Sequence, residues 1–211
     1  MDSEAWDRRY AAAPELVWTA EPNRFVVAET TDLTPGRALD LAAGEGRNAV
    51  WLAGRGWTVT AADFSPVAVA RGRALATDRG VAVDWRIEDV TAWTPEPAGY
   101  DLVLVAYLHL LPEHLAGVLG RAGAAVRPGG RIVVVGHDRA NLAGGTGGPR
   151  DPAILLTPES VVAALHGLRV ERAETARRPV TGADGATVDA LDTVVVARRA
   201  DDRRPGAGGT A

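Results

Sequence analysis

Arg37-Ala-Leu-Asp-Leu-Ala-Ala-Gly-Glu-Gly-Arg-Asn-Ala-Val-Trp-Leu-Ala-Gly-Arg-Gly-Trp-Thr-Val-Thr-Ala-Ala-Asp63 decides the fold. Arg37 to Leu41 is short and apolar enough for a buried strand, and Pro35-Gly36 punctuates its start. Gly44 and Gly46 permit backbone conformations that side chains forbid and allow a ligand close to the main chain. The next segment predicts a helix with Ala49, Val50, Leu52 and Ala53 on one face and Gly56 as its stop. Trp57 to Ala62 reads as a second strand with Asp63 at its carboxyl end. In open α/β sheets ligands bind outside the carboxyl ends of strands, so Asp40 and Asp63 are expected to border one crevice.

Gly44-Glu-Gly46-Arg-Asn-Ala49 also fits a dinucleotide fingerprint with alanine in the third place, and Asp63 falls near its ribose-binding spacing. Charge separates the possible ligands. A dinucleotide would bring an anionic pyrophosphate against Asp40 and Glu45, and both would repel it. S-adenosylmethionine has no phosphate and carries an ammonium and a sulfonium, which an acid favours. Asp63 suits either ligand, because both offer ribose hydroxyls to a carboxylate. The plainer role for Asp40 is a local cap on the turn.

The segment resembles motif I of class I S-adenosylmethionine-dependent methyltransferases. More narrowly, Gly44-x-Gly46-Arg47-Asn48, then Leu52-Ala53-x-x-Gly56-x-x-Val59 and Asp63-x-Ser65, resembles the tellurite-resistance methyltransferases and their thiopurine methyltransferase relatives. Ala42-Ala43 departs from the glycine and small residue common there, and alanine at position 42 tightens the approach to the methionine moiety. The resemblance covers about residues 1–198 as one domain, with 1–34 as an N-terminal helical lid segment and 199–211 as a disordered tail.

Composition narrows the classes further. A chain of 211 residues suits one domain with a substantial core. A net charge of −4 gives no general attraction for nucleic acid or an anionic membrane, so neither is expected as a partner. There is no cysteine, which removes disulfides, thiolate metal sites and thiol nucleophiles, and no metal is expected. All 23 basic residues are arginine, so a Schiff-base lysine and a Walker lysine are absent. No apolar run approaches the ~18 residues of a membrane span, and a cytoplasmic location is the simplest expectation. Monomer and homodimer remain equally open.

The remaining chain supplies further strands. Ser65-Pro66 starts a helix running toward Gly80. Val81 to Ile87 alternates as a strand, and Tyr100 to Tyr107 is a continuous apolar run suited to burial on both faces. Arg127-Pro-Gly-Gly130 turns into a strand at Ile132 to Val135, and Pro158 to His166 is a short helix capped by Thr157. Leu168 to Thr175 and Thr187 to Arg198 form a final hairpin around Gly182-Ala-Asp-Gly185. The fold expected is α/β: a Rossmann-like, seven-stranded, mostly parallel sheet with helices on both faces and an antiparallel C-terminal strand.

The resemblance implies S-adenosylmethionine as cofactor, held by Asp40, Ala42, Gly44, Gly46, Arg47, Asn48, Asp63, Phe64, Ser65 and Ala106. Asp89 would accept from the adenine amine beside Val90, or else is a solvated loop acid. Phe64 would stack on adenine or simply pack. Trp6, Tyr10 and Trp18 form an aromatic series, with Trp6 and Tyr10 in a segment that folds over the cofactor as a lid or docks as a stabilising helix. Tyr107, Arg139 and Trp18 are candidates for a small-molecule acceptor. His109 and His137 follow the fourth and fifth strands and are candidate general bases, each with a structural role as its rival. Asn141 to Pro149 reads as a mobile substrate loop or a surface connection. Thiol, chalcogen and phenol or hydroxyl acceptors all remain open. So do a nicotinamide-dependent oxidoreductase, disfavoured by Asp40 and the missing lysine, a silent nucleoside-ligand-binding protein, and, less favoured, a nucleic-acid methyltransferase.

Overall fold

The computed structural model describes residues 3–181 and 185–201. Two helices come first: α1 (Ser3–Ala12) and α2 (Arg24–Thr30), the latter capped by the Asn23 side chain on the amides of Phe25 and Val26. Then follow β1 (Arg37–Leu41), α3 (Arg47–Gly54), β2 (Thr58–Asp63), α4 (Pro66–Asp78), β3 (Asp84–Ile87) and β4 (Tyr100–Ala106). The second half holds α5 (Pro112–Ala125), β5 (Val126–His137), the short α6 (Asn141–Gly144), α7 (Pro158–Ala164), β6 (Arg169–Thr181) and β7 (Thr187–Arg198).

The seven strands form one sheet in the order β3-β2-β1-β4-β5-β7-β6. All pairs from β3 to β5 are parallel, and β7 runs antiparallel between β5 and β6. Alternation splits the core by face. Val103, Val105 and Val134 pack beneath α5 and α7 with Leu115, Leu119 and Val161. Leu102, Leu104, Val133 and Val135 meet Phe25, Val26, Ala49 and Leu52 of α2 and α3 on the other side. The continuous apolar run of β4 is thus buried on both faces, as a central parallel strand requires.

Several expected boundaries move. The second strand begins at Thr58 and ends on Asp63, with Trp57 buried just outside it. The third begins only at Asp84, because Val81 and Val83 pack against Val50, Leu75 and Ala76 rather than pairing. Arg127 to Gly130 lies inside β5 as an irregularity, where register jumps from Tyr100↔Val126 to Leu102↔Arg131. The helix from Pro158 stops at Ala164, two residues before His166, and its Thr157–Ser160 capping box closes the start. The sixth strand extends to Thr181 and is a charged, largely exposed edge. Residues 182–184 of the expected hairpin turn and 202–211 of the expected tail lie outside the described residues. Among the described residues no helix is long and apolar enough to cross a membrane.

Candidate active site

The carboxyl ends of the adjacent strands β1 and β4 form the centre of the site, and both end on left-handed backbone. Ala42 has φ 54° and Tyr107 φ 58°. Such values disfavour residues with a Cβ and cluster where geometry serves function. Ala42 therefore stands where glycine would be relaxed, which gives the departure from the family pattern a local conformational cost.

Asp40 is buried at the penultimate position of β1, and neither carboxylate oxygen has a hydrogen-bond partner among the described residues. Burial, then the nearby Asp63 charge, pushes its pKa up to about 7, while Arg47 pulls the other way. Any capping role is confined to the pull of the Ala49 amide in the first turn of α3, which favours the charged form but falls short of a hydrogen bond. An orphaned buried acid costs free energy until a cation meets it.

Asp63 is buried too, but answered. Its Oδ2 accepts from Gly44 N at 2.8 Å and its Oδ1 from Ser65 N at 2.9 Å. Burial raises its pKa, and the two amide donors oppose the rise. Each oxygen keeps a lone pair for a ligand hydroxyl. Beyond Asp63 lies an open cleft of about 450 Å³ lined by Phe64 and Asp89, with Ser3, Ile87, Thr91 and Leu110, which sequence reasoning did not single out. Asp89 Oδ1 accepts from the Thr91 amide and hydroxyl at 2.8 and 2.7 Å, so its second oxygen faces outward.

Other expected cofactor residues serve the scaffold. Asn48 Oδ1 accepts from Asn23 N at 2.9 Å and so ties α3 to the N-terminal segment. Ser65 Oγ caps α4 through Ala68 N and donates to Asp7. Val90 packs into the core under α5. Ala106 closes β4 and is partly open to the crevice. At Gly46 (φ 76°) an added Cβ would strike the Trp85 ring. Glu45 does not face the crevice as a free charge: it is buried, pairs with Arg71 at 3.0 Å and accepts from Trp18 N at 3.1 Å. Arg71 also binds the carbonyls of Ala13 and Glu15. The anti-phosphate charge is therefore that of Asp40.

Those bonds tie the N-terminal segment to α4 and the glycine turn. Trp6 stacks on Tyr10 at 5.5 Å, Trp18 adjoins Trp6 at 6.4 Å, and Arg9 lies over both indoles. Tyr10 is buried against Gly44, and burial with the Asp63 charge raises its phenol pKa.

A second cluster occupies the ends of β4, β5 and β7. His137 and His109 stack at 5.3 Å, and Tyr107 lies 4.9 Å from the His137 ring. His109 Nε2 accepts from His137 N at 3.2 Å, and burial followed by the His137 neighbour lowers its pKa to about 4. With its lone pair occupied, His109 positions the chain and is unsuited to abstract a proton. His137 differs. Its Nδ1 stands 3.3 Å from Oδ1 of Asp192, directly opposite it on β7 and fully buried. Asp192 Oδ2 accepts from Tyr107 Oη at 2.8 Å and from Arg178 Nε at 2.6 Å. Burial works to raise the Asp192 pKa, but His137, Arg178 and Tyr107 together hold it below the ordinary value. Asn23 also donates to the Tyr107 oxygen.

Asp192 and Arg178 escaped sequence reasoning because they sit in a strand that reads only as a charged hairpin. Arg139, expected near the acceptor, is exposed, and its amide bonds Leu156 O. Asn141 to Pro149 is more organised than an open loop. Asn141 Oδ1 accepts from Leu191 N, its Nδ2 donates to the carbonyls of Thr146 and Gly147, and Gly148 lies so close to the His137 ring that a Cβ would come within 2.6 Å.

Residues 38–130 match the family described as a methyltransferase domain. A ubiquinone biosynthesis O-methyltransferase of Methylocella silvestris is 38% identical over 96 residues, 44% of this chain and 37% of the relative. The chain thus spans little more than a third of that relative's length. Among solved structures, one from work on the conversion of a disulfide bond into a thioacetal group during echinomycin biosynthesis superposes with a TM-score of 0.76 at 21% identity. It covers 95% of this chain and 93% of its own. TehB from Haemophilus influenzae gives 0.70 at 15% identity, over 93% and 66%. At these identities the two structures establish the fold alone. The segment that resembles this methyltransferase domain carries the strands β1 to β4, the glycine turn and both acids.

Proposed function

We propose that this protein transfers a methyl group from S-adenosylmethionine to an oxygen of a small-molecule acceptor, with His137 as general base. The observation that carries the reading is Asp40, a buried carboxylate with no partner at the mouth of the glycine turn. A cationic ligand answers it and an anionic pyrophosphate does not. This weighs against a nicotinamide cofactor on the same crossover.

When bound, S-adenosylmethionine supplies a methyl already activated by its cationic sulfur. The chain's own tasks are to bind, align and exclude water. Asp40 would face the ammonium, the free lone pairs of Asp63 the ribose hydroxyls, and the Phe64–Asp89 cleft the adenine. The aromatic lid of Trp6, Tyr10 and Trp18 covers the turn and keeps water from it.

On the acceptor side, a proton on His137 Nδ1 faces Asp192 and leaves Nε2 as the basic nitrogen. The buried carboxylate stands at ion-pair distance from Nδ1, short of a hydrogen bond, and stabilises the imidazolium as the acceptor proton arrives, the logic of any Asp-supported histidine base. A thiolate needs no such base, so the pair favours an oxygen nucleophile. A mass-spectrometric screen for gain of one methyl group tests the reading, using phenols, aliphatic alcohols, thiols and chalcogen oxyanions. Methylated oxygen acceptors are expected. Exclusive methylation of thiols would overturn the role of His137.

A further inference from the structure

Two arginines border the Tyr107 ring, and only one of them holds a carboxylate. The guanidinium groups of Arg47 and Arg178 each lie 5.9 Å from its centroid, one from the first turn of α3 and one from β6. Arg178 is answered in part, through Nε on Asp192. Asp192 is already shared with Tyr107 and faces His137. The Arg47 guanidinium makes neither an ion pair nor a hydrogen bond with any described residue; it lies over the Tyr107 ring and feels the Asp40 charge.

Arg47 is also poorly solvated. Burial lowers its pKa and the Arg178 charge adds to the fall, while Tyr107, Asp40 and Asp192 oppose it, so the two cations feel each other and both carboxylates. Asp40 is the nearest opposing carboxylate, and it is the one that the cofactor ammonium would face in the reading above. Two guanidinium groups thus border one ring, and of the two Asp192 is hydrogen-bonded to Arg178 alone. Such a pair repels unless an anion lies between its members. Guanidinium forks match a carboxylate in shape as well as charge.

We propose that the acceptor is an acid, whose carboxylate sits between Arg47 and Arg178 on the Tyr107 ring while its nucleophilic oxygen faces His137. This rests on the methyltransferase reading above and adds the substrate class. The separation fits a hydroxy acid, with hydroxyl and carboxylate on one small framework, because Tyr107 and His137 are neighbours at 4.9 Å.

The test uses matched pairs on the full chain with S-adenosylmethionine: hydroxybenzoic acids and aliphatic hydroxy acids, each beside its neutral primary amide. Methylated product is read by mass, and S-adenosylhomocysteine binding is measured in parallel by calorimetry. The acids are expected to exceed their amides in kcat/KM by about tenfold or more, the size of one charge-assisted hydrogen bond. Arg178→Met should erase that ratio while binding S-adenosylhomocysteine normally, and Arg178→Lys, which keeps the charge, should retain part of it. Equal use of acids and amides would overturn the proposal, as would a ratio untouched in Arg178→Met. If Arg47→Met loses S-adenosylhomocysteine affinity with the acid preference intact, Arg47 serves the cofactor and the two-arginine seat is wrong. No turnover of any pair, with S-adenosylhomocysteine still bound, overturns the acid acceptor alone. Failure to bind S-adenosylhomocysteine would instead count against the methyltransferase reading.

Discussion

His137 and Asp192 face each other across the antiparallel β5–β7 pair, with Nδ1 and Oδ1 3.3 Å apart. Register alone brings them together, since every side chain on that face of β7 is fixed by its partner on β5.

If that pair is the acceptor base, its members act as a unit. Asp192→Asn and His137→Ala should each lower kcat with an oxygen acceptor about a hundredfold or more, the usual scale of general base catalysis. Both should leave kcat with a thiolate acceptor near that of the unmodified protein. Steady-state kinetics on one phenol and one thiol decide this. An equal loss with both would remove His137 as a base.

Arg71 has a different task. It neutralises the buried Glu45 and holds the carbonyls of Ala13 and Glu15. Arg71→Met leaves a buried carboxylate without its cation, which typically costs about 3 kcal/mol or more. Denaturant unfolding should show that loss, and hydrogen exchange should show faster opening of residues 3–20 than of the sheet. Uniform exchange throughout would mean that Arg71 does not hold the lid.

Ala42→Gly relieves a left-handed alanine at φ 54°. Relaxing such a residue is worth about 1 kcal/mol, partly offset by glycine's greater freedom when unfolded. Thermal unfolding should therefore shift little or upward, and cofactor affinity should hold or rise. A marked fall in either would show that the Ala42 methyl makes a necessary contact.

The crossover from Arg37 to Asp63 was legible because its elements are local: a buried strand, glycines at left-handed positions, a short helix and an acid at the next strand's end. The seven mostly parallel strands with an antiparallel last strand followed from the later strand signals together with the resemblance, whereas the strand order emerged only from the structure. Asp40 and Asp63 were legible as acids at the carboxyl ends of neighbouring strands, where the structure buries both. Glu45 was misleading, because its partner Arg71 lies on a helix after the next strand. Asp192 and Arg178 were invisible, since only the long-range pairing of β6 and β7 brings them to His137. Tyr107 was legible as the residue that ends the β4 run, but its left-handed φ was not.

Asp40 carries the central claim, and its titration gives the most direct test. Its carboxyl pKa is raised by burial to about 7 in the folded protein. The sign follows from linkage: the stability of its protonated form is fully present below the unfolded pKa and is lost as pH rises through about 7. A cation binds the ionised form, so S-adenosylmethionine affinity should rise with pH through the same window and binding should release a proton below it. The decisive measurement is calorimetric titration with S-adenosylmethionine at pH 6 and pH 8, roughly one unit either side of that value, in buffers of different ionisation enthalpy, for the unmodified protein and Asp40→Asn. The expected result is tighter binding at the higher pH with proton release at the lower. Asp40→Asn should bind about tenfold or more weakly, with no pH dependence from this site, and be at least as resistant to unfolding. Binding that is indifferent to both pH and Asp40→Asn, or no binding by the unmodified protein, would contradict the account.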